Sequence, residues 1–249
     1  MIFLMKIALL ADIHSNLEAL QACLAHARER GATQFAFLGD LVGYGADPLS
    51  CLEIIAELSS RGAIAVLGNH DKAALGGLCV EMSFHARDSV YWTRQQLGEQ
   101  ERAFLSRLPA VVKQENRLYV HASAARPEAW TYITGAREAT RSIEAGDTLF
   151  SFGGHVHHAC LYFHFNGKTS AYQPAHGIAI PLSPHRRWFA IVGSVGQQRD
   201  GNNAAAYALF DPLKSELTFF RISYDYLSAA RKIREAGLPE RFARRLETG

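Results

Sequence analysis

The ten residues GDLVGYGADP, from Gly39 to Pro48, follow the apolar run QFAFL and place a carboxylate, Asp40, directly after a predicted strand. The same arrangement recurs along the chain, where other predicted strands also run into polar side chains that can bind a metal. These are Asp12 and His14 after KIALLA, Asn69 and His70 after AIAVLG, His121 after RLYV, and His155 and His157 after TLFSFG. Because ligands collect at the carboxyl ends of strands in open α/β sheets, the recurrence predicts one shared site.

The length and composition predict an ordinary globular protein. The chain has 249 residues, enough for one large α/β domain with a full hydrophobic core, and we expect a single domain over residues 1–249. With 48% hydrophobic and 20% charged residues, extensive disorder is excluded. Basic residues near the C-terminus alternate with Glu235, Glu240 and Glu247, which favours a solvated helical face over a nucleic-acid-binding surface.

The apolar segments and the cysteines indicate a cytoplasmic protein. The opening MIFLMKIALLA is interrupted by Lys6 and continues into the Asp12 motif, so we predict a core strand and not a signal peptide. No other apolar stretch approaches the ~20 residues of a membrane span, and we expect no membrane partner. Four cysteines without close pairing favour free thiols in a reducing compartment. They are Cys23, Cys51, Cys79 and Cys160.

The two halves of the chain have different patterns. The first half alternates strand and helix, with Asn16 and Asp47 as predicted helix caps, which predicts a parallel sheet. A further helical pattern runs from about residue 81 to 107. The second half predicts short strands near residues 111, 118–120, 149–152, 160–165, 188–192, 206–210 and 217–222, which we assign to a second, mostly antiparallel or mixed sheet. Residues 166–187 predict a surface loop or short hairpin.

We therefore predict an α/β fold, a four-layer αββα sandwich of two facing mixed sheets flanked by helices. Such a sandwich gathers the ligand-bearing loops along one edge. Two divalent ions about 3.5–4 Å apart can hold both oxygens of an in-line phosphoryl displacement, and they need a bridging carboxylate. Asp40 is the natural bridge. Carboxylate, amide and imidazole ligands suit Mn, Fe, Co, Ni or Zn better than Mg or Ca.

The order of the motifs resembles the calcineurin-like metallophosphoesterase superfamily. The matching blocks are D-I-H, G-D-L-V-G-Y-G, G-N-H-D, V-H-A-S and G-H-V-H, within about residues 6–201. The resemblance implies a dinuclear centre with a metal-bound hydroxide as nucleophile, and His70 as the group that protonates the leaving oxygen or stabilises the transition state. It implies one metal held by Asp12, His14 and His157, a second held by Asn69, His121 and His155, and Asp40 bridging the two.

Departures from the family pattern narrow the range of expected substrates. Protein phosphatases of the family and their symmetrical dinucleoside tetraphosphatase relatives carry G-D-x-V-D-R-G, whereas this chain has Gly43 and Tyr44 at the D-R positions. The chain is more similar to a small prokaryotic branch that includes phosphodiesterases, some of which act on dinucleoside polyphosphates. Ala122 and the pair His158-Ala159 also depart from the usual residues, which leaves the shape of the phosphate pocket open.

Several candidate residues carry two interpretations. Asp71 either orients His70 as a catalytic residue or caps the helix that follows. Tyr44 either contacts the substrate or is a buried turn aromatic. Arg199 is a candidate phosphate ligand, since guanidinium binds phosphate in a bidentate way, or it forms a surface salt bridge. His158 adjoins the ligand pair, but the i, i+2 spacing from His155 favours His157.

Three functions remain in competition. The leading hypothesis is a metal-dependent hydrolase of phosphodiester or dinucleoside-polyphosphate bonds, with a small-molecule phosphoester or nucleotide as substrate. The alternative is a broad-range phosphomonoesterase, and residues 166–187 could decide between the two by shaping the substrate cleft. A non-catalytic scaffold of the same fold is disfavoured because His70 and all seven ligand candidates are present. The oligomeric state is left open, including a homo-oligomer.

Overall fold

A computed structural model describes residues 5–77 and 82–249 of the chain. The predictions for Cys79, for the start of the helical pattern at residue 81 and for the first four residues of the core strand lie outside these residues. Within the described residues the strands form two six-stranded sheets.

The first sheet has the order β3-β2-β1-β11-β12-β9. The strands β1, β2 and β3 are parallel, and β11 pairs with β1 in the antiparallel direction. The strands of this sheet are β1 (Lys6–Leu10), β2 (Ala32–Phe37), β3 (Ile64–Ala65), β9 (Ala179–Pro181), β11 (Ala205–Asp211) and β12 (Glu216–Ile222).

The assignment of all late strands to a second sheet was wrong, since β9, β11 and β12 extend the first one. The physical reason lies in β1 and β11, which are almost entirely buried on both faces. The backbone hydrogen-bonding groups of a strand buried on both faces need a partner strand along each edge. These two apolar strands provide that partner for one another, although about 200 residues of sequence separate them.

The second sheet has the order β4-β5-β6-β10-β7-β8, with β5, β6 and β10 parallel and the other pairs antiparallel. It is therefore mixed, as predicted. Its strands are β4 (Val111–Gln114), β5 (Arg117–Val120), β6 (Phe150–Gly153), β7 (Cys160–Phe165), β8 (Lys168–Tyr172) and β10 (Arg187–Ile191).

Eight α-helices lie within the described residues. They are α1 (Leu17–Glu29), α2 (Pro48–Ser60), α3 (Asn69–Ala74), α4 (Phe84–Gln96), α5 (Glu99–Ser106), α6 (Ala136–Gly146), α7 (Tyr226–Glu235) and α8 (Glu240–Thr248). Asn16 caps α1 as predicted, its side chain accepting a hydrogen bond from Ala19 N at 3.1 Å. Asp47 precedes α2 but makes no capping bond, because its carboxylate accepts from Lys232 Nζ at 3.0 Å.

The predicted helix between residues 81 and 107 is two helices, α4 and α5. Leu97 has extended backbone, and Gly98 N donates to the Glu101 carboxylate at 2.9 Å, which caps the start of α5. The apolar period continued across this break, so periodicity alone concealed it.

Three apolar clusters build the predicted four layers. One packs α1 and α2 on the outer face of the first sheet, through residues such as Leu20 and Ile55. A second lies between the sheets, where Phe210 of β11 contacts Phe150 and Phe152 of β6 at ring distances of 5.0 and 5.2 Å. The third packs α6 on the outer face of the second sheet. The αββα sandwich is confirmed.

The remaining segments agree with the sequence in part. Residues 166–187 contain β8, which forms a hairpin with β7, and β9, which joins the first sheet.

Cys23, Cys51 and Cys160 are free thiols. Three of the C-terminal arginines form ion pairs with the intervening glutamates, for example Arg234 with Glu240 at 2.9 Å. Among the described residues, no helix combines the length and apolar character needed to cross a bilayer.

Candidate metal centre

The polar residues that follow the strands lie together at one edge of the two sheets. Asp12 follows β1, Asp40 follows β2, and Asn69 begins α3 after β3. In the second sheet His121 follows β5, and His155 comes two residues after β6. The parallel pairing within each set brings these ends to the same side, and the facing of the sheets brings the two sets together.

Asp40 lies at the centre of the cluster. Its Oδ2 is 3.7 Å from His14 Nε2 and 3.3 Å from His121 Nε2, so one carboxylate oxygen faces imidazoles from both sheets. Its Oδ1 accepts a hydrogen bond from His70 N at 2.8 Å. The side chain is only 2% exposed. Asp40 therefore lies between possible ligands that come from the two sheets.

Asp12, His14 and His157 form one group of possible ligands on one side of Asp40. Their ligand atoms lie within 4.8 Å of one another, with His157 Nε2 3.5 Å from Asp12 Oδ1. Both Asp12 oxygens also accept from His155 N, at 3.0 and 3.1 Å. That contact holds the aspartate of the first sheet against the loop of the second.

Asp40, His121 and His155 form a second group on the other side. His121 Nε2 is 3.1 Å from both Asn69 Oδ1 and His155 Nδ1. His121 Nδ1 donates to Leu38 O at 2.8 Å, which leaves Nε2 directed at the cluster. His121, His155 and Asn69 are the residues that the family resemblance implies for a second metal.

The ring orientations of His14 and His157 fit a bound cation. His14 Nδ1 donates to Val42 O at 3.1 Å, and His157 Nδ1 donates to Gln197 O at 2.5 Å. A neutral imidazole that donates from Nδ1 carries a lone pair on Nε2, and these two Nε2 atoms are 3.3 Å apart. Lone pairs directed at one another repel unless a proton or a metal ion lies between them, so the pair fits a metal-binding role.

The backbone at the cluster is strained. Five of the seven predicted ligands have left-handed backbone with φ between 48° and 67°, a region that non-glycine residues rarely adopt. They are Asp12, His14, Asp40, His155 and His157. Strain of this kind persists only where the surrounding structure holds it and is concentrated at functional sites.

Burial keeps three of the histidines neutral. It lowers the pKa of His155 to about 3 and the pKa values of His14 and His157 well below their ordinary value. A metal ligand must be deprotonated, so these imidazoles are ready to bind an ion at neutral pH.

Burial and neighbouring charges change the pKa values of His121 and Asp40 in opposite directions. For His121, burial favours the neutral ring, but the Asp40 carboxylate and then Asp12 overcome it and raise the pKa to about 9. For Asp40, burial opposes ionisation, but His121 and His70 hold its pKa well below the usual range. Burial raises the pKa of Asp12 to about 7. The cluster without metal therefore holds a proton on His121.

His70 lies beside the two groups. A ring nitrogen of His70 is within 4.8 Å of ligand atoms of His14 and Asp40, and its ring contacts those of His14 and Tyr44 at 4.8 and 4.5 Å. Its Nδ1 is buried without a hydrogen-bond partner among the described residues. Burial lowers the pKa of His70 to about 4, so the ring is neutral at pH 7 in the metal-free site.

Gly43 explains why the His70 Nδ1 has no carboxylate partner in the loop after β2. A Cβ at Gly43 would lie 2.5 Å from His70 Nδ1, and the residue has φ +92°. The aspartate that the protein-phosphatase pattern places here would therefore collide with His70 unless the loop changed its path.

Asp71 adopts the capping arrangement of its two interpretations. Its Oδ2 accepts from Gly68 N at 2.9 Å, and its Oδ1 accepts from Leu41 N and Val42 N at 2.8 and 3.1 Å. Its described hydrogen bonds go to backbone amides and not to the His70 ring. Asp71 thus ties the start of α3 to the loop after β2, and its catalytic assignment stays a prediction.

Tyr44 and Arg199 lie at the rim of the cluster. The Tyr44 ring contacts Phe242 at 4.9 Å and is half-buried, while the Arg199 guanidinium carbon lies 5.8 Å from the Tyr44 ring centre. Arg199 donates to Gln197 Oε1 at 2.9 Å and forms no ion pair within the described part of the chain. No described residue therefore provides the salt bridge of the alternative interpretation of Arg199.

His157 and not His158 belongs to the cluster, as the spacing predicted, since His158 is exposed. The sequence left open whether residues 166–187 shape the substrate cleft. The cluster opens into a cavity of about 590 Å³ whose lining includes Tyr44, Asn69, His70, His155 and Arg199. No residue of the segment 166–187 belongs to its described lining, which is completed by Lys72, Ala73, Met82, Ser83, Ala86, Glu128, Ala129, Trp130 and Tyr132.

Two aromatic residues of the cavity wall were missed. The Tyr132 ring stacks on His155 with centres 4.0 Å apart, and Trp130 approaches His121 at 6.0 Å. The available signal was the segment Trp130-Thr-Tyr132, which follows His121 by about ten residues in a loop rich in small residues and proline.

Comparisons with known proteins agree with this fold. The family model of the calcineurin-like phosphoesterase superfamily domain matches residues 5–215. An uncharacterised protein of Methanocaldococcus jannaschii is 32% identical over 98% of each chain. The crystal structure of a metallophosphoesterase from Sphaerobacter thermophilus is similar with a TM-score of 0.87 and 35% identity, covering 98% of this chain and 99% of that one. A hypothetical protein of Pyrococcus horikoshii has a similar fold, with a TM-score of 0.77 and 18% identity over 97% of each chain.

Proposed function

The chain belongs to the calcineurin-like phosphoesterase superfamily, and from that premise we propose that it is a dinuclear metal-dependent hydrolase of phosphodiester or dinucleoside-polyphosphate bonds. The observation that carries the proposal is the position of Asp40, whose Oδ2 faces His14 and His121 from the two sides of the cluster. A carboxylate placed between two ligand groups is what a two-metal site needs.

Seven residues would hold the metals, in the division implied by the family resemblance. Asp12, His14 and His157 belong to one site, Asn69, His121 and His155 to the other, and Asp40 to both. Mixed nitrogen and oxygen ligands suit Mn, Fe, Co, Ni or Zn. When bound, two such ions would polarise the phosphoryl group and lower the pKa of water.

The chain's own residues would orient the substrate and handle the proton. Arg199, which has no carboxylate partner among the described residues, is free to donate to phosphoryl oxygens at the rim. The neutral His70 ring still carries one N–H, which can donate to the leaving oxygen and stabilise its developing charge. A bound phosphate anion would raise the pKa of His70 toward the range in which it transfers the proton.

A diester preference is supported by the departures at Gly43 and Tyr44, and the size of the cleft fits a small-molecule substrate. Tyr44 stands where the protein-phosphatase pattern has a phosphate-binding arginine, so one charged contact to a terminal phosphate is replaced by an aromatic ring. A cavity of about 590 Å³ lies within the ~300–1,000 Å³ range of small-molecule sites. We therefore place this chain in the small prokaryotic phosphodiesterase-like branch.

The test is the hydrolysis of bis(p-nitrophenyl) phosphate and p-nitrophenyl phosphate with Mn²⁺, comparing the wild type with Asp40→Asn. We expect the wild type to prefer the diester and the variant to lose at least about 100-fold in kcat/KM, because two bound metals supply several kcal/mol of transition-state stabilisation. A preference for the monoester would favour the phosphomonoesterase alternative. Failure to cleave either ester with Mn, Co, Ni or Zn, although metal binds, would contradict the proposal.

A further inference from the structure

The cavity above the metal centre has two chemically different halves. The inner half contains the ligand cluster, His70 and Arg199, and would be cationic with two divalent ions bound. The outer half is lined by Trp130 and Tyr132 together with Lys72 and Glu128. Lys72 Nζ and Glu128 Oε2 are 3.3 Å apart, so their charges compensate each other. The outer half is therefore aromatic and close to electrically neutral.

Neighbouring residues of the fold hold Trp130 and Tyr132 in place. Tyr132 is 50% exposed, and its ring stacks on His155 with the planes inclined by 26°. The next residue, Ile133, is buried in the core between α6 and the second sheet. Trp130 has left-handed backbone with φ 50° directly after a short 3₁₀-helix, Pro127–Ala129. The wall thus presents large aromatic surfaces to the cavity from an anchored backbone.

We propose that Trp130 and Tyr132 form the binding surface for the nucleobase of a nucleotide substrate whose phosphoryl group lies at the metal centre. This inference rests on the proposed function. A neutral aromatic half beside a cationic half matches a ligand with a flat, uncharged base at one end and a phosphate at the other. Further phosphates in the outer half would face Glu128 and gain no net positive charge, so the base and not a polyphosphate chain occupies it.

Selectivity for a nucleotide over a sugar phosphate would follow from the stacking of the base on these aromatic rings. Every base has a π-face, so aromatic side chains bind bases with little dependence on sequence, and removing one such side chain weakens binding by roughly 5- to 150-fold. Removing Trp130 leaves the binding of a sugar phosphate without a base almost unchanged. Removing Tyr132 also takes away a ring that stacks on His155, so its effect on base recognition is the change in the ratio of the two affinities. Trp130 and Tyr132 are thus specificity-determining residues that leave the chemistry at the phosphorus to other groups.

The experiment compares adenosine 5′-monophosphate with ribose 5-phosphate, which has the same phosphate and no base. Binding of each to the Mn²⁺-loaded protein is measured by isothermal titration calorimetry for the wild type, Trp130→Ala, Trp130→Phe and Tyr132→Ala. We expect the wild type to bind the nucleotide at least tenfold more tightly. Trp130→Ala and Tyr132→Ala should each remove about fivefold or more of this preference, and Trp130→Phe should retain most of it.

The controls separate the inference from the proposed function. Tyr172→Ala removes an aromatic side chain that is 47% exposed on β8, outside the described lining of the cavity, and should behave as the wild type. Equal affinities for the two ligands in the wild type, or a preference that survives both alanine variants, would overturn the inference. Diester hydrolysis is measured separately, so loss of the proposed activity is distinguishable from loss of base recognition. Thermal melting of each variant identifies one that fails to fold, and Trp130→Phe and Tyr132→Ala then provide the comparison.

Discussion

At the scale of single residues, the site is controlled by how each imidazole is held. The Nδ1 atoms of His14, His121 and His157 donate to backbone carbonyls, which fixes each ring and directs Nε2 at the cluster. His155 is held in another way, by stacking against Tyr132, and faces the cluster with Nδ1. Four histidines from three loops thus present a nitrogen to a common volume.

Metal binding should release a proton from His121. The Asp40 carboxylate helps to raise the pKa of His121 to about 9, so the ring is protonated at pH 7.5 and must lose its proton to bind a metal. We expect the association constant for Mn²⁺ to rise about tenfold per pH unit between pH 7.5 and 8.5, and to level off as the pH passes about 9. Calorimetry in buffers of different ionisation enthalpy should count about one proton per protein.

The matched control for this experiment is His158→Ala, which removes an exposed histidine next to the ligand pair. It should leave the proton count unchanged. An affinity for Mn²⁺ that does not vary with pH over this interval would mean that His121 is already neutral in the metal-free protein.

At the scale of elements, the loop after β2 sets the space around His70. Asp71 of α3 accepts from Leu41 N and Val42 N, which holds this loop against the start of α3. Gly43 in the same loop faces His70 Nδ1 so closely that no side chain fits. The position of His70, the proposed proton donor, therefore depends on the loop after β2 and on the connection from β3 to α3.

Gly43→Ala should displace His70 and leave the metal ligands in place. The new Cβ would lie 2.5 Å from His70 Nδ1, closer than van der Waals contact allows. We expect kcat for the diester to fall at least about tenfold while Mn²⁺ affinity changes less than about twofold, because general acid catalysis contributes typically 10²–10⁴-fold. Steady-state kinetics and calorimetry on the same preparation measure the two quantities.

Gly31→Ala is the matched control, since Gly31 also has left-handed backbone, φ +85°, but has open space around its Cβ position. Both variants should lose about 1–2 kcal/mol of unfolding free energy from backbone strain. Only Gly43→Ala should lose activity, and equal activity losses in both would assign the effect to backbone strain instead of to His70.

At the scale of the whole molecule, the residues of the candidate metal centre come from both sheets. Asp12, Asp40 and Asn69 come from the first sheet, and His121 and His155 from the second. Bound ions would therefore link two layers that are otherwise held together by the apolar cluster between them.

Removing metal should lower the stability of the entire fold. An ion at about 100 times its dissociation constant adds about 2.7 kcal/mol to the unfolding free energy. For a chain of this size we expect Tm to rise by roughly 5–10 °C with Mn²⁺ relative to EDTA. Differential scanning calorimetry measures the shift, which Asp40→Asn should largely abolish. A shift of equal size in that variant would place the stabilising ion elsewhere.

The sequence by itself determined the family resemblance, the αββα layers and the residues gathered in the cluster. These features rest on local patterns, because each ligand follows its own apolar strand and parallel strands end at a common edge. Periodicity likewise located the strands of the second half and the cap of α1 at Asn16. The choice of His157 over His158 also needed only a spacing between neighbouring residues.

Only the tertiary structure decided which strands share a sheet and what surrounds the cluster. The pairing of β1 with β11, the aromatic wall at Trp130 and Tyr132, and the break between α4 and α5 had no unambiguous local signal. Asp47 carried a cap signal, yet its carboxylate pairs with Lys232 from a distant helix. The physical reason is that each candidate metal ligand lies in a short sequence motif. Strand partners and cavity walls depend instead on contacts between distant segments, which minimise the free energy of the whole chain.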